Sequence, residues 1–92
     1  MRAEVQELEV EASLLVNEGG LQCVAVVFVR APERWSAPEA HSGLLLDGVP
    51  VASVDPARAA RRGPGLVAFV LEDPMDSRRF RPGQVVRLDP TP

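Results

Sequence analysis

The first regular stretch of the chain is residues 4–16, EVQELEVEASLLV, in which apolar and polar side chains alternate. Every second residue from Leu8 to Val16 is apolar, and every second residue from Glu7 to Ser13 is polar. A period of two predicts a β-strand with one covered face and one face in water. A helix would distribute the glutamates around its circumference, so we reject a helix here.

The second stretch, LQCVAVVFVR at 21–30, is apolar at both sets of alternate positions. This pattern predicts a strand that is covered on both faces. Between the two stretches, NEGG at 17–20 supplies residues that tolerate the positive φ angles of a hairpin turn. We therefore expect a hairpin, with Cys23 as a buried and unreactive thiol in its second strand.

Turn signals divide the middle of the chain. Asp47-Gly48 between apolar flanks predicts a tight hairpin turn within residues 44–54. Pro50 cannot donate a hydrogen bond to a neighbouring strand, so its strand should lie at an edge or carry a bulge. DPARAARRGPG at 55–65 predicts a helix of about two turns, because Asp55 suits the N-cap and Gly-Pro stops the helix.

The last third of the chain predicts two more strands, LVAFVLE at 66–72 and VVRL at 85–88. RPGQ at 81–84 predicts the β-turn that precedes the final strand. Residues 1–92 are therefore expected to form a single all-β domain. We expect a small antiparallel barrel or sandwich of about five or six strands with one short connecting helix. Closure into a barrel would remove the exposed edges of such valine-rich strands.

Composition excludes several classes of protein. No apolar run approaches the roughly 20 residues of a membrane span, so we expect no membrane partner. The acidic N-terminal stretch is unlike a signal peptide, and we therefore predict a cytoplasmic protein. One cysteine and one histidine exclude an internal disulfide and a cysteine-only metal site, so we expect no metal and no cofactor. The net charge of −3 does not indicate a nucleic-acid partner by itself.

An enzyme is the least favoured class, because we cannot assemble a catalytic site from the residues. The sequence contains no phosphate loop, dinucleotide fingerprint or metal-ligand spacing. Only Cys23 and His41 could form a Cys–His pair, and Cys23 is expected in the core. Glu7, Glu9 and Glu11 are expected to be a solvated strand face.

The long connection over residues 31–43 is the first candidate for binding. It holds Arg34, Trp35 and His41 among prolines and small residues, and Trp and Arg are frequent at the centres of protein interfaces. These residues predict contact with a protein partner or with a second copy of the chain. The alternative for Trp35 is that it folds back as a plug over one end of the barrel.

The second candidate is the arginines, which account for all ten basic residues. If the fold brought two groups of them together, the guanidinium groups would form a patch suited to phosphate or RNA. Solvated charge and helix capping are the simpler explanation, since acidic residues lie nearby and no aromatic residue interleaves. The two groups are Arg58, Arg61 and Arg62 in the predicted helix, and Arg78, Arg79 and Arg81 before the last turn.

Two short motifs suggest a family. VEASLLVNEGG at 10–20 resembles the first strand and turn of the C-terminal β-barrel domain of elongation factor Tu, and FRPGQVVRL at 80–88 is similar to its Pro-Gly turn and following strand. FAD-binding reductase barrels carry a comparable Pro-Gly-Gln turn. The motifs cover about twenty of 92 residues, and the family's Gly-Tyr-Arg-Pro segment and GTPase domain have no counterpart. The resemblance implies a six-stranded barrel that contacts transfer RNA or another protein domain.

The sequence as a whole favours a non-catalytic interaction module that binds a protein partner or associates with itself. The alternative is a translation-factor-like barrel that contacts RNA through its arginines, and a small enzyme is the third possibility.

Overall fold

The computed structural model of the protein describes residues 6–17, 19–20, 22–32 and 43–90. These residues contain strands, one short α-helix, α1 (Pro56–Arg62), and one 3₁₀ helix (Pro74–Arg79). The strands are β1 (Gln6–Asn17), β2 (Cys23–Arg30), β3 (Leu44–Leu46), β4 (Val49–Val54), β5 (Leu66–Leu71) and β6 (Val85–Pro90).

The strands form a closed antiparallel barrel in the order β1-β2-β5-β4-β3-β6. The predicted all-β barrel with one short helix is therefore confirmed. Because the barrel is closed, β3 and β4 each have a paired strand on both sides. Of the two predictions for the strand that contains Pro50, an edge position or a bulge, the structure has the bulge, since the register of β4 shifts between Val51 and Ser53.

The barrel interior is filled by side chains from every strand and by Phe80, which follows the 3₁₀ helix. Among the described residues, Phe69 of β5 is the largest side chain that is fully buried. Val, Leu and Phe side chains supply nearly all of this packing. The buried members are Leu8, Val10, Ala25, Val27, Val29, Leu44, Leu46, Val49, Val51, Val67, Phe69, Leu71, Phe80, Val86 and Leu88.

A second apolar layer lies on the outer face of β1, β2 and β5, where α1 covers the sheet. Ala59 of α1 is buried in this layer against Val26 and Phe28 of β2 and their neighbours. The strand β2 is thus covered on both faces over 25–29, as its pattern predicted. The helix begins where predicted, because the Asp55 carboxylate accepts a hydrogen bond from the Arg58 backbone N–H at 3.1 Å.

The strand β1 does not keep one apolar face along its length. Its register with β2 shifts between Val10 and Ala12, so Glu11 is the additional residue of a bulge. Leu8 and Val10 lie in the barrel interior, whereas Ala12 lies in the outer layer beneath α1. The prediction that all alternate residues from Leu8 to Val16 share one face is therefore wrong, because the bulge exchanges the two faces.

Cys23 is exposed at the first residue of β2, and the prediction of a buried thiol is wrong. The reason is topological: β5 pairs with β2 only over Val26–Arg30, so the start of β2 extends past its neighbour. The Asp47-Gly48 turn is confirmed, with positive φ angles of 54° and 82°.

Candidate interaction surface

The β1–β2 hairpin extends beyond the rest of the barrel. β6 pairs with β1 only over Gln6–Glu9, and the turn before β6 adds two backbone hydrogen bonds of 2.8 Å, from the Val10 N–H to the Gln84 carbonyl and from the Gly83 N–H to the Val10 carbonyl. Because β5 reaches β2 only from Val26 onward, residues 23–25 likewise have no second paired strand in the described chain, although the Ala25 side chain is buried in the barrel interior. We call residues 11–17 of β1 together with residues 23–25 of β2 the arm.

The outer edge of β1 in the arm has no paired strand among the described residues. A free strand edge presents a row of backbone N–H and C=O groups that another strand can bind. The segment 11–17, EASLLVN, contains no proline that would prevent such pairing. The arm therefore offers backbone hydrogen-bonding groups along one side of β1.

Two leucines make the arm apolar on both faces. Leu14 is 38% exposed and Leu15 is 58% exposed, and as consecutive strand residues they project to opposite faces. On the outer face, Leu14 lies opposite the fully buried Val26, and Val16 lies opposite Val24. Val16 and Val24 pack against the layer under α1, so the outer face of the arm continues that layer.

The 3₁₀ helix contacts the other face of the hairpin. The Ser13 hydroxyl donates a hydrogen bond to the Ser77 carbonyl oxygen at 2.8 Å. Ser13 lies on the same face as Val27, its partner in β2, whose side chain is in the barrel interior. The helix closes this end of the barrel with Phe80 and leaves Leu15 and Cys23 exposed.

Glu11, the bulge residue, forms an ion pair with Arg62 at the end of α1. The Arg62 guanidinium donates hydrogen bonds to both carboxylate oxygens of Glu11, at 2.5 and 3.1 Å, and lies 5.0 Å from the centre of the Phe28 ring. The bonded guanidinium lowers the pKa of the Glu11 carboxyl from its ordinary value of 4.5. The expected solvated glutamate is therefore an ion-pair residue, which sequence reasoning missed because its partner is distant in the chain.

The first arginine group lies on α1 above Phe28. Arg58 forms an ion pair with Asp55 at 3.0 Å, and Arg61 has no ion pair within the part of the chain that the structure describes. The three arginines and Phe28 line a shallow hollow of about 330 Å³. An aromatic ring thus does lie among these arginines, although Phe28 is 5% exposed and Arg62 covers it.

The second arginine group does not join the first. Arg79 pairs with Asp76 at 3.1 Å, whereas Arg78 and Arg81 have no ion pair with any described residue. The α1 group sits over Phe28 on the outer face, and the 3₁₀ helix leads to Phe80 in the interior beside Val27. Since Val27 and Phe28 project to opposite faces of β2, the two groups lie on opposite sides of the sheet. RNA contact by either group stays a prediction.

The third predicted group, Arg34, Trp35 and His41, falls within residues 33–42, outside the described residues. Its role in partner binding therefore stays a prediction, as does the alternative that Trp35 is a plug.

A cavity of about 380 Å³ lies between α1 and the start of β5. Alanine, valine, leucine, proline and glycine line it, so its side chains offer apolar contacts and no charge. Among the described residues, no group of three His, Cys, Asp or Glu side chains could hold a metal ion. No helix in this part of the chain is long and apolar enough to span a membrane.

No family model, curated protein or solved structure matches the chain. The resemblance to the elongation factor Tu barrel therefore stays a prediction, and the arm is interpreted from its own geometry.

Proposed function

We propose that the protein is a non-catalytic module that binds another polypeptide by strand addition to the arm. The observation that supports this function is the extension of β1 past β6, which leaves the edge of residues 11–17 without a paired strand in the described chain. In strand addition, backbone hydrogen bonds supply affinity and the alternating side chains supply selectivity. Here Leu14 and Leu15 would contact the partner on the two faces.

Within the described residues, the outer edge of β1 over 11–17 has neither a paired strand nor a proline, and its only hydrogen bond to the 3₁₀ helix is the one from the Ser13 side chain. Proteins commonly block such edges with prolines, charged side chains or a covering segment. In residues 11–17 the only charged side chain is Glu11, and Arg62 already pairs with it. By contrast, closure of the barrel gives β3 and β4 neighbours on both sides. An edge that is left open in an otherwise closed barrel is well suited to recognition.

The RNA alternative has less support from the geometry. The two arginine groups lie on opposite sides of the sheet, and ion pairs with Asp55, Glu11 and Asp76 neutralise half of the six arginines. Neither group alone supplies the extended basic surface that follows a phosphate backbone. An enzyme has less support again, since the cavity beneath α1 contains no titratable side chain in its lining.

The test begins with a partner that is captured by the purified chain, identified by mass spectrometry and then purified itself. Calorimetry compares its affinity for the wild type with that for Leu14→Lys/Leu15→Lys, which places charge on both faces of the arm. We expect at least about a tenfold loss of affinity. Val85→Lys is the matched control, because Val85 is an equally exposed apolar strand residue (60%) outside the arm.

The control variant should bind within about twofold of the wild type. Circular dichroism establishes that each variant is folded. A folded double variant that binds the purified partner as tightly as the wild type would contradict the proposed function.

A further inference from the structure

We infer that the polypeptide that adds to the arm is a second copy of this chain, with the two β1 strands paired antiparallel along residues 11–17 and a two-fold axis through Leu14. This inference rests on the proposed function and names its partner. The resulting sheet has the order β2-β1-β1-β2 across the two protomers. In this register Leu14 faces Leu14, Ser13 faces Leu15, Ala12 faces Val16, and Glu11 faces Asn17.

The register follows from symmetry and from the length of the free edge. In a symmetric antiparallel pair, facing residues project to the same side of the sheet, so the axis must pass through a residue. An axis through Leu14 matches the whole segment 11–17 to itself. An axis through Ser13 would pair only residues 11–15, because Val16 would face Val10, whose backbone already bonds to Gly83 and Gln84. An axis through Leu15 would extend the pairing past Asn17 into the turn.

The charges of the segment are compatible with this register. Like charges directly opposite each other destabilise a strand pair. Glu11 is the only charged residue between positions 11 and 17, and it faces the neutral Asn17 of the other protomer. Its own charge is balanced within the protomer by Arg62. The pairing therefore creates no contact between like charges in the segment.

The apolar residues of the segment are also self-complementary. Ala12, Leu14 and Val16 lie on the outer face, where they oppose Phe28, Val26 and Val24 of β2. Pairing two arms would join the outer apolar layers of both protomers and cover the exposed part of Leu14. A two-stranded ribbon is marginal in water, and a sheet of more strands with an apolar face is stable. A second copy thus supplies the support that the arm lacks.

Pairing through β2 instead would be shorter and chemically different. The free edge of β2 comprises only residues 23–25, and its self-pairing would bring the two Cys23 residues to facing or adjacent positions. Pairing through β1 places the β2 strands at the outside, about 14 Å apart by strand spacing, which is beyond the reach of a disulfide. The single cysteine therefore distinguishes the two arrangements.

Sedimentation equilibrium tests the association itself, over protein concentrations from about 10 µM to about 1 mM. An interface of one strand pair is small, so we expect reversible dimers with a dissociation constant on the order of 100 µM. Leu14→Lys places two like charges at the axis and should weaken dimerisation at least about tenfold. Val85→Lys, the same change at an exposed strand position outside the arm, should leave it within about twofold.

Disulfide cross-linking tests the register. In a Cys23→Ala background, Leu14→Cys should form a disulfide dimer on mild oxidation, because facing residues of a strand pair are close enough to bridge. Leu15→Cys should cross-link more slowly, since its copies are diagonal neighbours about 7–8 Å apart. The wild type, with Cys23 alone, should cross-link the least.

A wild-type chain that is monomeric at every concentration would overturn the inference, as would Cys23 cross-linking faster than Leu14→Cys. Dimerisation that Leu14→Lys leaves unchanged would overturn it too. A second case is a chain that is monomeric but binds a purified partner, with Leu14→Lys/Leu15→Lys abolishing that binding. The inference of a second copy would then be wrong, and the proposed function would stand. If substitutions in the arm change neither dimerisation nor partner binding, the inference and the proposed function are both wrong.

Discussion

Both halves of β1 carry an apolar residue at every second position from Leu8 to Val16, yet the structure buries these halves differently. Over Gln6–Glu9 the strand is paired with β6, and β2 joins it on the other side from Glu9 onward; Leu8 is 2% exposed in the barrel interior. Beyond Val10 the strand is paired with β2 alone among the described strands, and Leu15 is 58% exposed. The pattern of the sequence predicts the strand, and the neighbouring strands determine which of its residues are buried.

The same contrast runs through β2. Over Val26–Arg30 it is paired with both β1 and β5, and its side chains fill the interior on one face and the α1 layer on the other. At Cys23 it is exposed and paired with β1 alone. The barrel body should therefore unfold as one cooperative unit, whereas the arm should open locally at a much lower free energy.

The largest expected difference between body and arm is in how much a substitution lowers the free energy of unfolding. Phe69→Ala removes the largest fully buried side chain of the interior, and we expect a loss of about 3–5 kcal/mol in the free energy of unfolding. Leu15→Ala removes a side chain that is mostly in water, and should cost less than about 0.5 kcal/mol in the monomer. Urea denaturation at low protein concentration measures both.

If Leu15→Ala destabilised the monomer as much as a core substitution, the arm would be part of the cooperative body and the contrast would fail. Equal slopes of the two denaturation curves would establish that both variants unfold from the same state.

The second largest difference is in hydrogen exchange along a single strand. Backbone amides of Val27 and Val29 lie in the barrel body, and those of residues 23–25 lie in the arm. In the monomer we expect arm amides that point to the open edge to exchange at least about 100-fold faster than the body amides. Exchange measured by NMR at low concentration gives the ratio directly, and comparable protection throughout β2 would contradict it.

Raising the protein concentration should then slow exchange along residues 11–17 of β1, because dimerisation would supply the missing hydrogen bonds. The amides of Val27 and Val29 serve as the internal reference, since β1 and β5 already flank them in the monomer.

Sequence reasoning predicted the elements of the barrel because each depends on local chemistry. The alternation before Val10, the doubly apolar β2, the Asp47-Gly48 turn and the Asp55 cap are all readable from neighbouring residues. Pro50 also indicated a bulge, since a missing N–H constrains any strand that contains it.

The rest depended on pairings between distant parts of the chain. No residue type around Glu11 indicates a bulge, so the sequence did not predict that apolar residues after Val10 lie on the outer face of the sheet. The exposure of Cys23 follows from where β5 ends, and the ion pair of Glu11 follows from where α1 packs. The arm exists because β1 is longer than β6, which is a relation between two strands and is not encoded in either pattern alone.

A smaller effect concerns α1, which covers the outer face of the body. Asp55→Ala removes the helix cap and the ion pair with Arg58, and we expect a loss of about 1–2 kcal/mol in the free energy of unfolding. The matched control is Asp73→Ala, which removes the hydrogen bond that the Met75 N–H donates to an exposed carboxylate and should cost less than about 1 kcal/mol. Thermal and urea denaturation measure both variants.

An Asp55→Ala loss no greater than that of Asp73→Ala would mean that α1 adds little to the outer layer. The body and the arm would then be alike on that face, and the contrast between them would rest on the barrel interior alone.

The smallest effect lies at Glu11, where body and arm meet. Its folded pKa is lowered by the hydrogen bonds from Arg62, so the carboxylate stabilises the folded state above the unfolded value of about 4.5. This contribution is lost as the pH falls below 4.5 through the lowered folded pKa. Glu11→Gln should therefore be less stable than the wild type at neutral pH, and the difference should shrink in acid. Because the pair is partly exposed, the loss should be smaller than that of Asp55→Ala.

Urea denaturation at matched pH values compares Glu11→Gln with Glu72→Gln, an exposed glutamate for which the described residues provide no ion pair. The Glu72 variant should differ from the wild type by the same small amount at neutral and acid pH. If the stability difference between Glu11→Gln and the wild type were also the same at neutral and acid pH, the ion pair with Arg62 would contribute nothing to stability. Glu11 would then add as little stability as the exposed residues of the arm, and the stabilising contacts of β1 would end at Val10, which bonds to Gly83 and Gln84 before β6.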